Sequence, residues 1–234
     1  MHFKKENIMG TKKNRDNRND FLKRAVTGFF LGLFFYYTFF HFPPFIFSSI
    51  LICVLIIIAF IEWPRVFSLR DPRFWLIFPI YPTIPFIATI ALNQSFDFRI
   101  LIVLIGIISF SFDFGAYSLG SMIGKHKLAP DISPRKTWEG VLGGYLFSFV
   151  AVLCITWYTG AQTSILMKLF ITFCLGSLAL CGDLFESALK RQAGIKDTGS
   201  FLPGHGGFLD RFDSVMISMT VVYLFREFFI RVFF

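Results

Sequence analysis

Long apolar segments, separated by short polar loops, constrain this chain more than any other feature. A helix needs about 20 apolar residues to cross a bilayer. Runs close to that length lie near 21–41, 45–62, 74–92, 100–120, 140–159, 164–183 and 212–231. Hydrophobic residues make up 55% of the 234 residues, more than a soluble core of this size requires. The sequence therefore predicts an all-α, polytopic bundle in a membrane, with about seven transmembrane helices.

The third apolar run contains three prolines, Pro79, Pro82 and Pro85. Each proline removes a backbone donor and crowds the preceding turn of a helix. We expect this helix to be kinked or broken.

The placement of lysine and arginine predicts which side of the membrane each loop faces, because these residues are enriched in cytoplasmic loops. With the N-terminus inside, the strongly charged loops all fall on the cytoplasmic side: 63–73, 121–139 and 184–211. The opposite loops contain one arginine, Arg99, and no lysine. We expect a multi-pass protein of the inner (cytoplasmic) membrane whose polar loops face the cytoplasm.

The N-terminal tail is basic, with eight lysines and arginines against three acidic residues in positions 1–24. Such a tail can bind anionic lipid headgroups. A solvated tail that only sets the topology explains the same composition, and we favour that interpretation.

The densest polar segment lies at residues 183–213. Asp183, Glu186, Ser187, Lys190 and Arg191 recur at a spacing that places them on one face of a helix. Ionisable groups at membrane depth are costly and commonly functional. The Glu186–Lys190 pair alone also fits a simple stabilising ion pair at a helix end.

Two aspartates, Asp210 and Asp213, stand one helical turn apart at the start of the last apolar run. Carboxylate oxygens are the ligands that Mg²⁺ prefers, although helix capping also accounts for one of the two. The preceding turn contains His205, Gly206 and Gly207. Glycines there can bring backbone N–H groups close to phosphate oxygens, and an ordinary flexible loop is the alternative.

A second polar loop, residues 124–140, combines four lysines and arginines with two hydroxyl groups. This composition suits the capture of a polyphosphate, although a loop that only anchors the topology would also be basic. Upstream of the loop, Ser109, Asp113 and Tyr117 share one helix face. That stripe fits hydrogen bonding between helices as well as it fits a ligand role.

Three stretches of this chain resemble the phosphatidate cytidylyltransferase (CDP-diacylglycerol synthase) family. The first is 183–213, which contains the sequences Asp-Leu-Phe-Glu-Ser-Ala-Leu-Lys-Arg and Pro-Gly-His-Gly-Gly. The second is 127–144. The third is 113–117, where Phe114 replaces the usual threonine. The resemblance implies transfer of CMP from CTP to phosphatidic acid, giving CDP-diacylglycerol and pyrophosphate in phospholipid biosynthesis. It implies Mg²⁺ as the cofactor and membrane lipids as the surroundings. No nucleic-acid partner is expected, and a homodimer stays open.

The resemblance also implies roles for individual residues. Asp183, Asp210 and Asp213 would hold the metal. The catalytic set would add Lys190, Arg191 and Lys196 to these three. The substrate contacts would be Ser133, Arg135, Lys136, Thr137, Arg211, His205, Gly206 and Gly207. Glu139 and Glu186 would orient the cations.

On this basis we expect three parts: a disordered basic cytoplasmic tail (1–20), N-terminal transmembrane helices (21–104) and a catalytic transmembrane domain with cytoplasmic loops (105–234). Two other functions are weighed against this one. A CTP-dependent lipid-alcohol kinase has similar chemical needs but transfers the γ-phosphoryl group. An ion-coupled transporter could use Asp113 and Asp183, but the ionisable residues crowd one membrane face instead of crossing the bilayer.

Overall fold

Helices supply most of the regular structure. The computed structural model describes residues 26–201 and 206–234, so the predicted basic tail (1–20) and His205 lie outside the described residues. The helices are α1 Val26–Phe40, α2 Pro44–Val66, α3 Pro72–Gln94, α4 Ile100–Ile123, α5 Trp138–Thr159, α6 Ile165–Gln192, α7 Leu209–Leu224 and α8 Arg226–Phe233.

Five of these helices, α2 to α6, are long and apolar enough to cross a membrane. Large apolar side chains are exposed on them, among them Phe110, Trp157 and Leu166. A soluble monomer rarely exposes so much apolar surface, whereas lipid covers it at no cost. The predicted class, an all-α polytopic membrane bundle, is confirmed. Helix α1 coincides with the first predicted span, although its described part is shorter than the other five.

Prolines in α2 and α3 are accommodated by wider, π-helical turns. Pro64 lacks an N–H donor and its ring crowds the carbonyl four residues earlier, and the turn Ile58–Glu62 directly precedes it. In α3 the corresponding turn is Pro79–Thr83. The prolines therefore leave α3 as one helical segment and do not break it.

One of the last two predicted spans is a continuous helix and the other is divided. Helix α6 continues to Gln192, past the apolar run that ends near 183, as the helical spacing of Asp183 to Arg191 predicts. The predicted final span is divided at Phe225 into α7 and α8. The Arg226 guanidinium there lies over the Phe98 and Tyr223 rings, at 5.2 and 5.1 Å.

Glycines let the central helices touch. A Cβ at Gly115 of α4 would lie 2.5 Å from the carbonyl oxygen of Gly143 in α5. A Cβ at Gly182 of α6 would overlap the carbonyl oxygen of Asp213 in α7. Small residues allow such approach between membrane helices, and they bring the polar segments of α4 to α7 together.

One short antiparallel hairpin interrupts the helical pattern between α4 and α5. Strand β1 (Lys127–Ala129) pairs with β2 (Ser133–Thr137), with Lys127 opposite Thr137. Pro130 and Asp131, both common in turns, lie at the connection. This hairpin carries the basic segment to the end of α6.

Candidate active site

Lys190, in the last turns of α6, joins two carboxyl groups. Its Nζ atom lies 2.8 Å from Oδ1 of Asp210 and also contacts the Glu186 carboxyl group. Glu186 is fully buried and Asp210 is 5% exposed. Charges buried this deeply require partners, and Lys190 supplies one to both. The Glu186–Lys190 contact is the ion pair that the spacing predicts, and an orienting role for Glu186 stays a prediction.

Asp210 also organises the loop between α6 and α7. Its Oδ2 atom accepts hydrogen bonds from the backbone N–H groups of Gly207, at 2.7 Å, and Thr198, at 3.0 Å. Gly206, with φ at +82°, lies beside the same oxygen, and a side chain there would be strained. The Gly207 N–H group that we expected to face a phosphate therefore donates to a protein carboxyl group.

Asp183 lies one helical turn before Glu186 and contacts a different lysine. The Lys136 Nζ atom of strand β2 is 2.5 Å from Oδ2 of Asp183, and the Ser187 hydroxyl group donates to Oδ1 at 3.3 Å. Both side chains of the ion pair are partly exposed, at 21% and 28%. This pair brings together the two polar segments that the sequence singled out.

Three carboxyl groups from three helices come within electrostatic reach of one another. Asp213 of α7 is repelled by Asp183 of α6 and by Asp113 of α4. Within residues 26–201 and 206–234, no three histidine, cysteine or acidic side chains are grouped closely enough to hold a metal ion. Asp183 and Asp210 contact separate lysines, so the predicted trio of Asp183, Asp210 and Asp213 stays a prediction.

A cavity of about 440 Å³ opens between α4, α5, α6 and the hairpin, and we call it the polar cavity because five charged residues line it. Its walls include Asp113, Asp183 and three cationic residues, Lys127, Arg135 and Lys136. Thr137 also lines it, while its hydroxyl group caps α5 by accepting from the Gly140 N–H group at 3.2 Å. The cavity thus combines cations, carboxyl groups and a hydroxyl group.

A second cavity, of about 290 Å³, is largely apolar. Most of its lining consists of phenylalanine, leucine, isoleucine and methionine side chains from α1, α2, α3, α4 and α7. Among the described residues that line it, Arg211 is the one with a cationic side chain. Asp113 lines both cavities. The charges of Asp183, Lys136 and Arg211 all act on the Asp113 carboxyl group.

Other predicted site residues lie farther from the cavities. Arg191 donates to the backbone carbonyl groups of Ile132, at 3.1 Å, and Ile195, at 3.2 Å, and so ties the hairpin to α6. Lys196 is exposed, and Ser133 lies in β2 without lining either cavity. Glu139 contacts His126 Nδ1 at 2.6 Å instead of a lysine or arginine.

Sequence reasoning missed two buried residues beside this site. Tyr81 of α3 is 4% exposed, lies near four carboxyl groups (Asp183, Glu186, Asp210 and Asp213), and its hydroxyl group is 3.5 Å from the Gly182 carbonyl oxygen. Glu62 of α2 is fully buried against the loop before α7. The signal for Glu62 was available: it is the one acidic residue in the second predicted span, 45–62.

Comparison with known proteins supplies a family. Residues 74–229, two thirds of the chain, match the sequence model of the cytidylyltransferase family. The match begins upstream of the predicted boundary at 105, and the three-part division stays a prediction.

Curated relatives carry a more specific name. The chain is 46% identical over 110 residues to the phosphatidate cytidylyltransferase of Staphylococcus aureus (strain COL), an alignment covering 47% of this chain and 42% of that protein. It is 44% identical over 110 residues to the protein of that name from Staphylococcus haemolyticus (strain JCSC1435), with the same coverage. The aligned part thus spans less than half the length of these relatives.

Proposed function

This chain belongs to the cytidylyltransferase family, and from that premise we propose that it is a phosphatidate cytidylyltransferase. It would transfer CMP from CTP to phosphatidic acid, forming CDP-diacylglycerol and releasing pyrophosphate. The names of the relatives support this choice of substrates. Among the residues that the structure describes, no contact favours the lipid-alcohol kinase or the transporter.

The observation that carries the proposal is the pair of cavities that share Asp113. The reaction joins a water-soluble triphosphate to a lipid, so it needs a cationic compartment next to an apolar one. Lys127, Arg135 and Lys136 suit the CTP phosphates in the polar cavity. The apolar cavity suits an acyl chain, with Arg211 near the lipid phosphate.

The chemistry requires little proton transfer. A phosphate oxygen of phosphatidic acid, already anionic at neutral pH, attacks the α-phosphorus of CTP; a new P–O bond forms and the bond to pyrophosphate breaks. The main obstacles are repulsion between two anions and the charge that develops on the leaving group. Lys136 and Arg135 can reduce both the repulsion and the charge on the leaving group, because cations held beside the phosphates offset negative charge.

Nucleotidyl transfer of this kind generally uses a divalent metal, and we propose Mg²⁺. The oxygen donors of Asp183 and Asp213 fit that ion, and Asp113 lies within reach of both charges. Asp210 fits less readily, because Lys190, Thr198 and Gly207 already bind its oxygens. When bound, the metal would supply positive charge to phosphate oxygens. Lys136 would then be released from Asp183 to contact phosphate.

The site would face the cytoplasm, where CTP is available. The cationic residues of loops 63–73 and 121–139 support this orientation. The homodimer stays a prediction from the sequence, which the mass of the solubilised protein would test.

The decisive experiment uses the purified full chain in lipid nanodiscs with CTP, phosphatidic acid and Mg²⁺. We expect equimolar pyrophosphate and CDP-diacylglycerol, both dependent on phosphatidic acid. Release of CDP with a lipid alcohol as acceptor would replace this proposal with the kinase. Electrogenic ion uptake without nucleotide would replace it with the transporter.

A further inference from the structure

Glu62 lies in the π-helical turn of α2 and is fully buried. The turn precedes Pro64 and shifts the register of the side chains, and π-helical turns of this kind are frequent at functional sites. Ile58 and Trp63, at the two ends of this turn, are also fully buried. A carboxyl group placed so deeply requires hydrogen-bond donors.

The donors come from the loop before α7 and from the start of that helix. Glu62 accepts from the backbone N–H groups of Phe208 and Leu209, each at 2.8 Å. The Thr198 hydroxyl group lies 3.5 Å from Oε2. A carboxyl group that accepts from first-turn N–H groups stabilises the start of a helix and fixes its position.

Glycines make this approach possible. A Cβ at Gly199 would lie 2.8 Å from Oε1 of Glu62, and a Cβ at Gly207 would lie 2.6 Å from the same atom. Arg65, one turn farther along α2, donates to the Thr198 carbonyl oxygen at 3.3 Å. Helix α2 therefore contacts the loop through two charged side chains.

Thr198 links this contact to the candidate active site. Its hydroxyl group faces Glu62, and its backbone N–H group donates to Asp210, which contacts Lys190. Helix α7, which begins where Glu62 accepts its hydrogen bonds, carries Asp210 and Asp213. A displacement of about 1 Å in such an arrangement can reduce a rate by 100-fold.

We propose that Glu62 is a positioning residue for the cytidylyl transfer. It holds the start of α7 so that Asp210 and Asp213 face α6, although it lies outside the family-matched residues 74–229. The kinetic test of this inference rests on the proposed function. A second test, by hydrogen exchange, does not depend on that function.

The test compares Glu62→Gln with Glu62→Asp and the wild-type chain in nanodiscs. Glutamine keeps the size, and its oxygen can accept from one N–H group, but its NH2 donor then faces the other; aspartate keeps both oxygens and the charge. We expect Glu62→Gln to lower kcat by about 10- to 100-fold with little change in the KM for CTP, and Glu62→Asp to recover part of that loss. Asp71→Asn is the matched control, because the Asp71 carboxyl group pairs with Arg73 on the exposed α2–α3 loop, away from α7.

The second readout is backbone hydrogen exchange without substrates. We expect faster exchange in peptides covering 195–212 of Glu62→Gln and unchanged exchange in α4 and α5. Thr198→Val removes only the hydroxyl contact and should produce a smaller change of the same kind.

Three results would overturn the inference: wild-type exchange at 195–212, an equal increase in every helix, or local loosening with wild-type kcat. If the wild-type chain itself released no pyrophosphate, the proposed function would fail. Exchange at 195–212 would still report whether Glu62 holds α7.

Discussion

The Lys136 Nζ atom lies 2.5 Å from a carboxylate oxygen of Asp183, and this ion pair joins the β-hairpin to α6. The two residues are 47 positions apart and belong to different polar segments of the sequence. The pair supplies each charge with a partner at the mouth of the polar cavity. If a nucleotide and a cation bound there, Lys136 would contact the nucleotide phosphate and Asp183 would contact the cation.

Lys136→Ala should raise the KM for CTP or phosphatidic acid by about 10-fold, because a cation that contacts phosphate is lost. The free energy of unfolding should fall by less than about 1 kcal/mol, since the pair is partly exposed. Steady-state kinetics and thermal unfolding measure the two effects. Lys125→Ala removes an exposed lysine from the same loop and should change neither. An unchanged KM for both substrates would exclude the binding role.

Asp210→Asn should abolish turnover and also destabilise the protein. Breaking a buried ion pair costs about 3–5 kcal/mol, and the lower end applies because Lys190 keeps Glu186 as a partner. Adding Lys190→Met should destabilise the protein further, because buried Glu186 then loses its cation, and should restore no activity. Chemical unfolding and pyrophosphate release distinguish the two effects. Near-normal turnover in the single variant would remove Asp210 from the site.

Asp183→Asn should increase the Mg²⁺ concentration that gives half-maximal activity by about 10-fold or more. The reason is the loss of one anionic oxygen donor from the proposed metal site. Titration of activity with Mg²⁺ measures this change. Asp131→Asn, in the exposed hairpin turn, is the matched control and should keep the wild-type requirement. An unaltered Mg²⁺ requirement in Asp183→Asn would contradict the assignment.

Gly106→Leu should fill the apolar cavity. Gly106 lines that cavity, and nothing lies within 4 Å of a Cβ built on it. We expect a higher KM for long-chain phosphatidic acid, an unchanged KM for CTP, and slightly greater stability because leucine is the better helix former by about 0.5–1 kcal/mol. Gly32→Leu, in α1 with equally open space, controls for the helix effect. If both variants had the same lipid KM, the apolar cavity would not bind the acyl chain.

The sequence located the five long apolar helices of the described residues well, because long apolar runs have few other folds available. It predicted about seven spans, and the first and last of these correspond to the shorter helices α1, α7 and α8. The helical spacing of Asp183, Lys190 and Arg191 also predicted that α6 continues past its apolar run, and the helix ends at Gln192. The division of the last span at Phe225 was not predicted, because no proline or glycine lies there to indicate a helix end. The hairpin was missed because its strands have only three and five residues.

The site was predictable to the level of its segments but not of its contacts. Residue types and spacing brought Asp183, Lys190 and Asp210 into one hypothesis. They could not show that Asp210 binds its own loop or that Lys136 reaches Asp183, because these pairings depend on how separate helices pack. Glu62 illustrates the same limit: its role depends on a contact across 146 positions of the chain.

The close contact of Gly182 with the Asp213 carbonyl group sets the closest approach of α6 and α7 beside the acidic residues. Main-chain atoms of the two helices touch there, so a side chain at position 182 would force the helices apart. A larger residue at this position would therefore widen the proposed metal site without changing any of its oxygen donors.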